Sequence, residues 1–147
     1  MNNVLEKPKL IGEVYLFLFK EKETLLLLRV NTGYGDGMYS VIAGHLEHNE
    51  SIKNGMVREA YEEAGIKIKP EDLKLIHVMH RKNEGNDRVG FFFTCDKWEN
   101  EIINNEPEKC AELKWFFIDK MPKNMVQYVK EAFDKYFSGE LYSDLGY

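Results

Sequence analysis

A chain of 147 residues with 44% hydrophobic content has room for one well-buried core and is short for two domains, so a single domain over 1–147 is expected. A net charge of −5 disfavours a stable nucleic-acid partner, which needs a basic surface, and Cys95 and Cys110 carry no pairing pattern, as suits a reducing compartment. The start MNNVLEKPKL lacks a basic, apolar leader and no apolar run could span a bilayer, so a soluble, cytoplasmic protein with no membrane partner is expected. Leu10 to Phe19 and Thr24 to Val30 are rich in β-branched and aromatic residues and flank the turn-like KEKE, which predicts two paired strands. Arg29 closes the second run, where a strand-end arginine can snorkel to solvent. Three glycines within Asn31 to Gly37 predict a flexible loop, either a lid or a plain connection. Met38 to Ala43 returns as a short strand and delivers Gly44.

Gly44 to Ile66 reads GHLEHNESIKNGMVREAYEEAGI. A helix is predicted from about Ser51 to Ala64, with Ile52, Met56, Val57, Ala60 and Ala64 as its apolar side. Spacings of three and four put Glu59, Glu62 and Glu63 together on one side, near enough to share a ligand. Each like-charged pair at this spacing costs about 0.2–0.5 kcal/mol. The trio also falls in the last turn before Gly65, a predicted left-handed cap, where the helix dipole presents its negative end. Charge and dipole both call for a cation. With only hard oxygen ligands on the helix, Mg²⁺ or Mn²⁺ suits better than zinc. For an ordinary helix a solvated acidic face is the commoner reading. His45 and His48 flank Glu47, but two loop histidines without a third ligand read as polar surface or a substrate contact.

After Pro70, Leu73 to Arg81 alternates as a strand, with Leu75, His77 and Met79 on one face and Lys74, Ile76, Val78 and His80 on the other. The aromatic run Arg88 to Cys95 predicts a central strand whose phenylalanines are core. A polar excursion, 98–110, precedes a strand over Ala111 to Ile118. Pro122 introduces a last helix, about Asn124 to Phe137, whose Met125, Tyr128, Val129, Ala132, Phe133 and Tyr136 form a stripe for the sheet or for a second copy of the chain. The tail ELYSDLGY is apolar enough to pack back on the domain.

Gly44, Glu50, Arg58, Glu59, Ala60, Glu62, Glu63, Gly65 and Ile66 fit G-x5-E-x7-R-E-U-x-E-E-x-G-U, U being apolar, without a miss. This resembles the Nudix box of the Nudix hydrolases, here at 44–66; a chance match in such a chain is on the order of one in a million. The resemblance implies a Nudix-like α/β/α sandwich around a mixed β-sheet, and a metal-dependent hydrolase of nucleoside diphosphate-linked compounds. It implies Glu59, Glu62 and Glu63 as metal ligands, with Gly44 contributing its backbone carbonyl. Glu50 would support the site, Arg58 would orient a glutamate, and Glu59 would accept the proton of the attacking water. Arg29, near a position that often touches substrate phosphate in the family, is a candidate substrate contact. The loop glutamates Glu106 and Glu108 are candidates for an extra carboxylate, though solvated loop acids are the plainer reading of either. NNEPEKCAELKWFFIDKMP resembles the stretch found in Nudix enzymes that cleave nucleoside triphosphates with oxidised or modified purines. Nucleotide substrates of that kind, (d)NTPs and 8-oxo-dGTP, are therefore expected first, giving monophosphate and pyrophosphate. The alternatives are another Nudix substrate, such as a nucleotide sugar, ADP-ribose or capped RNA, or a non-catalytic module that senses a nucleotide.

Overall fold

The structure, a computed structural model, describes residues 6–147. Residues 1–5, the first half of the start MNNVLEKPKL, lie outside the described residues. Strand β1 (Ile11–Leu16) organises the sheet. Its side chains alternate between two apolar surroundings: Val14 and Leu16 join one buried cluster, Tyr15 and, just beyond the strand, Phe17 the other. A strand apolar on both faces must lie between two covering layers. β1 pairs parallel with β7 (Arg88–Thr94) and antiparallel with β5 (Ile42–His45). β7 pairs antiparallel with β6 (Lys74–Arg81), and β6 parallel with β9 (Tyr142–Leu145). The mixed sheet thus runs β5-β1-β7-β6-β9, with the aromatic strand in its middle as expected and the tail as an edge strand.

Helix α1 (Ile52–Ala64) covers one face with Met56, Ala60 and Ala64, and α2 (Gln127–Phe137) covers the other with Val129, Ala132 and Phe133. The expected α/β/α sandwich is present. Phe133 stacks on Phe17 with ring centroids 3.8 Å apart, tying α2 to the end of β1.

A second sheet branches off where β1 ends. It contains β2 (Phe19–Lys20), β3 (Glu23–Arg29), β4 (Tyr39–Ser40) and β8 (Cys110–Phe117), with β3 paired to the other three. The strand expected over 38–43 is therefore two: β4 belongs to this sheet and, past buried Val41, β5 belongs to the first. α2 starts at Gln127 instead of Asn124, because the Tyr39 backbone bonds to Asn124 O (2.8 Å) and Val126 N (2.9 Å), which holds that segment extended. In β6 a register shift between Leu75 and His77 breaks the predicted alternation, exposing Leu75 and burying Ile76 and His77 together. Buried His77 fastens the tail through Glu140 O (2.9 Å) and Ser143 Oγ (2.8 Å). Among the described residues no helix is long and apolar enough to cross a membrane.

Candidate functional site

Helix α1 is held at both ends. Ser51 Oγ accepts from the Asn54 N–H (3.1 Å), and Gly65, at φ 69°, turns its N–H to the Tyr61 carbonyl. Burial of Met56, Ala60 and Ala64 sets the helix rotation, which aims Glu59 and Glu63 at β5.

Arg58 organises the acidic side. Its Nε and Nη2 donate to the two oxygens of Glu50 (2.6 and 3.0 Å), and its Nη1 donates to Glu59 (2.8 Å) and Glu62 (3.2 Å). Nη2 also donates to the His45 carbonyl (3.0 Å), anchoring the fork to the end of β5. A bidentate guanidinium fixes a carboxylate in orientation as well as position. The same contact holds the Glu50 carboxyl below the usual range.

Glu59 lies directly over Gly44. A Cβ built on Gly44 would fall 2.1 Å from both Cδ and Oε1 of Glu59, so only glycine admits the carboxyl here. Glu63 comes in beside it, and its Oε2 accepts from the Ala43 N–H (3.2 Å). Burial first, then the proximity and repulsion of Glu59, push the Glu63 carboxyl well above the usual range, against the opposing pull of the Ala43 N–H. A neighbouring like charge disfavours ionisation of a buried carboxyl, and a cation between the two would relieve it. Glu106, on the loop before β8, faces the same cleft, and burial raises its carboxyl too. The cleft has a volume of about 400 Å³, and Arg29, Glu62 and Lys109 complete its charged lining.

The structure therefore brings Gly44, Glu50, Arg58, Glu59, Glu62, Glu63, Glu106 and Arg29 into one neighbourhood. It does not bring Glu108, which is exposed outside the cleft and offers its backbone carbonyl to Asn31 Nδ2 (3.1 Å). Nor does the acidic trio converge on one point. Among the described residues no three acidic, histidine or cysteine side chains are grouped as a cation cage. The reason is Arg58, which draws Glu59 and Glu62 to itself and leaves the Glu62 side chain 48% exposed, so that Glu59 and Glu63 remain as the close pair.

A second chamber, of about 470 Å³, opens on the other side of Ala43 and Gly44, and Arg29 lines both. Its wall includes Glu13, Tyr34, His45, Arg81, Arg88 and Tyr128, of which the sequence pattern offers only His45 as a substrate contact, with polar surface as its other reading. The available signal was Glu13, an acid inside the apolar run IGEVYLFLF and only 6% exposed. The glycine loop closes one side. Arg29 donates through Nε to the Tyr34 carbonyl (2.8 Å) and through Nη2 to Thr32 Oγ1 (3.1 Å), while the Tyr34 ring lies 6.3 Å from that of Tyr128.

A family model described as the NUDIX domain matches residues 10–136. Curated relatives include the NAD-capped RNA hydrolase NudC of Vibrio parahaemolyticus, 29% identical over 101 residues, a match covering 69% of this chain and 37% of the relative. The protein of the same name from Mannheimia succiniciproducens is 30% identical over 116 residues, covering 77% and 42%. The chain thus spans less than half the length of these relatives. Among solved structures, the MutT NUDIX hydrolase from Burkholderia pseudomallei superposes with a TM-score of 0.77 at 21% identity, covering 88% of this chain and 98% of that one. The MutT protein from Methanosarcina mazei Go1 gives 0.75 at 24% identity, covering 91% and 96%; at such identities the likeness is one of fold.

Proposed function

We propose, for a chain that belongs to the NUDIX family, that it hydrolyses phosphoanhydride bonds in nucleoside diphosphate-linked compounds with the help of a divalent cation. Nucleoside triphosphates, those with oxidised purines included, are the leading substrates, cleaved to monophosphate and pyrophosphate. One observation carries this reading: the Glu59 carboxyl lies against Gly44, where only a glycine admits it, and Glu63 Oε2 reaches the adjacent Ala43 N–H (3.2 Å), so that two acids of one helix are turned onto the same short stretch of β5.

The residues fit a hard cation: the Glu59 and Glu63 carboxylates face β5, Glu62 lines the same cleft, and the Gly44 carbonyl would add a further oxygen. Mg²⁺ is the first candidate and Mn²⁺ the second. Such a cation supplies charge to phosphate oxygens and lowers the pKa of water. The chain's own groups do the rest. Glu50 holds Arg58, and Arg58 holds Glu59 in one rotamer. Glu59 accepts the proton of the attacking water, with Glu106 as the second candidate. Arg29, where the two cavities meet, reaches a phosphate oxygen.

The curated relatives favour a second reading, in which an NAD-type dinucleotide or a capped RNA end is cleaved. The net charge of −5 weighs against an RNA chain. A panel of dGTP, 8-oxo-dGTP, ADP-ribose and NADH, assayed for phosphate release with and without Mg²⁺ and with the appropriate coupling enzyme, separates the readings. Metal-dependent release from triphosphates supports the first, and turnover confined to NADH moves the assignment to the second. Tight metal-independent nucleotide binding without turnover refutes both.

A further inference from the structure

The second chamber has an excess of positive charge, of which only Arg29 is shared with the hydrolytic cleft. Glu13 is its one acid, and both oxygens are engaged. Oε1 accepts from the Tyr15 hydroxyl (2.7 Å) and Arg81 Nη2 (3.0 Å), while Oε2 lies 3.1 Å from His45 Nε2 and 3.8 Å from Arg88 Nη1. One carboxylate thus faces two guanidiniums, each with five N–H donors. Arg29 brings a third guanidinium to the same wall. No buried side-chain polar atom among the described residues lacks a partner, so the arginine nitrogens that bond to no protein group keep some contact with solvent, and the Arg81 and Arg88 side chains both line the chamber. Arg81 is also oriented in advance, its guanidinium 3.9 Å from the Tyr128 ring centroid. In a chain of net charge −5, three arginines about one cavity concentrate positive potential there.

We infer that this chamber holds a phosphoryl group of the substrate that is not itself cleaved. The inference rests on the proposed hydrolase reading and deepens it: preferred substrates carry an anionic terminus beyond the scissile anhydride. That terminus is either the last phosphate of a nucleoside triphosphate or a monoester on a second sugar. The dimensions suit either, since about 470 Å³ lies within the range of small-ligand pockets.

Calorimetric titration tests it, with Ca²⁺ in place of Mg²⁺ to slow turnover. ATP is compared with ADP in one arm, and NADP⁺ with NAD⁺ in the other. The member with the additional phosphoryl binds at least about tenfold more tightly in one arm, the effect of one charge-assisted hydrogen bond, and that arm identifies the source. Arg88→Gln brings the ratio to within about twofold, whereas Arg88→Lys, which keeps the charge, retains most of it. High salt shrinks the wild-type ratio, a measurement that stands even if Arg88→Gln does not fold. Wild-type ratios near unity in both arms, or a ratio that Arg88→Gln leaves intact in a folded protein, overturn the inference. Discrimination in binding together with no Mg²⁺-dependent turnover of any of the four would instead sink the hydrolase reading and leave the phosphoryl site standing.

Discussion

Replacing Gly44 with alanine separates the chemistry from the fold. The new methyl would lie 2.1 Å from Cδ and Oε1 of Glu59 and 2.6 Å from Oε2, so the carboxyl must swing away. These are the far atoms of a flexible side chain, and the Gly44 backbone is ordinary extended strand, so β5 need not move. What is lost is the 2.8 Å bond from Arg58 to Glu59, while the paired bonds from Arg58 to Glu50 persist. A hydrogen bond to a charged group contributes about 1.5–3 kcal/mol. Relief of repulsion against Glu63 and the lower chain entropy of alanine, about 0.4–1 kcal/mol, offset part of it. The net cost is about 1 kcal/mol, a fall in Tm of about 2–4 °C for a chain of this size. Activity should respond far more, because displacing a catalytic group by about 1 Å costs about 100-fold. Thermal melts beside kcat/KM for Mg²⁺-dependent dGTP hydrolysis give both numbers. A Gly44→Ala protein with kcat/KM within about twofold of wild type would refute the placement of Glu59 as the working carboxylate.

Glu63→Gln should melt higher than wild type in EDTA at neutral pH, because it removes a desolvated carboxyl facing Glu59 and keeps an acceptor for the Ala43 N–H; added Mg²⁺ should then stabilise it less than it stabilises wild type, and equal Mg²⁺ shifts would exclude Glu63 as a ligand. Glu62→Gln should lower turnover at least about tenfold while Tm moves by no more than about 2–4 °C, since a pair this exposed contributes at most about 1 kcal/mol; matched losses of stability and activity would count against a role in the chemistry. Arg58→Ala removes the guanidinium from Glu50 and Glu59, leaving Glu50 only its bond from the Glu47 N–H, and should destabilise by about 2–4 kcal/mol, read as a clear loss in urea midpoint. Burial pushes the Cys95 thiol up to about 11 and raises Cys110 as well, so roughly one Cys95 side chain in a thousand is thiolate at pH 8. Both thiols should resist a disulfide reagent until denaturant is added, and prompt native reaction would contradict their burial.

Much of the fold could be read along the chain. The two-sided apolar runs at 10–19 and 88–95 become β1 and β7 between two helices, because a strand without a polar face has to be covered twice. The Gly65 cap, the apolar side of α1 and the packing of the tail also follow from local pattern. The misreadings share a cause, which is backbone recruited by a distant partner. Asn124 to Val126 has helical spacing but is held extended by Tyr39, and the 38–43 strand divides because its halves pair with β3 and β1. The alternation in β6 fails at a bulge that no residue type announces.

The site divides in the same way. By itself the sequence determined the helix, its cap and the crowding of Glu59, Glu62 and Glu63 on one side of it, since spacing along a helix dictates who is neighbour to whom. The tertiary structure alone decided which of them meet: Glu59 with Glu63 against β5, while Arg58, tied to Glu50 and His45, turns Glu62 outward. It also made the arginine chamber, whose walls come from β1, β3, β5, β6, β7 and α2 among others, because strand order and helix rotation bring together residues that periodicity treats as unrelated.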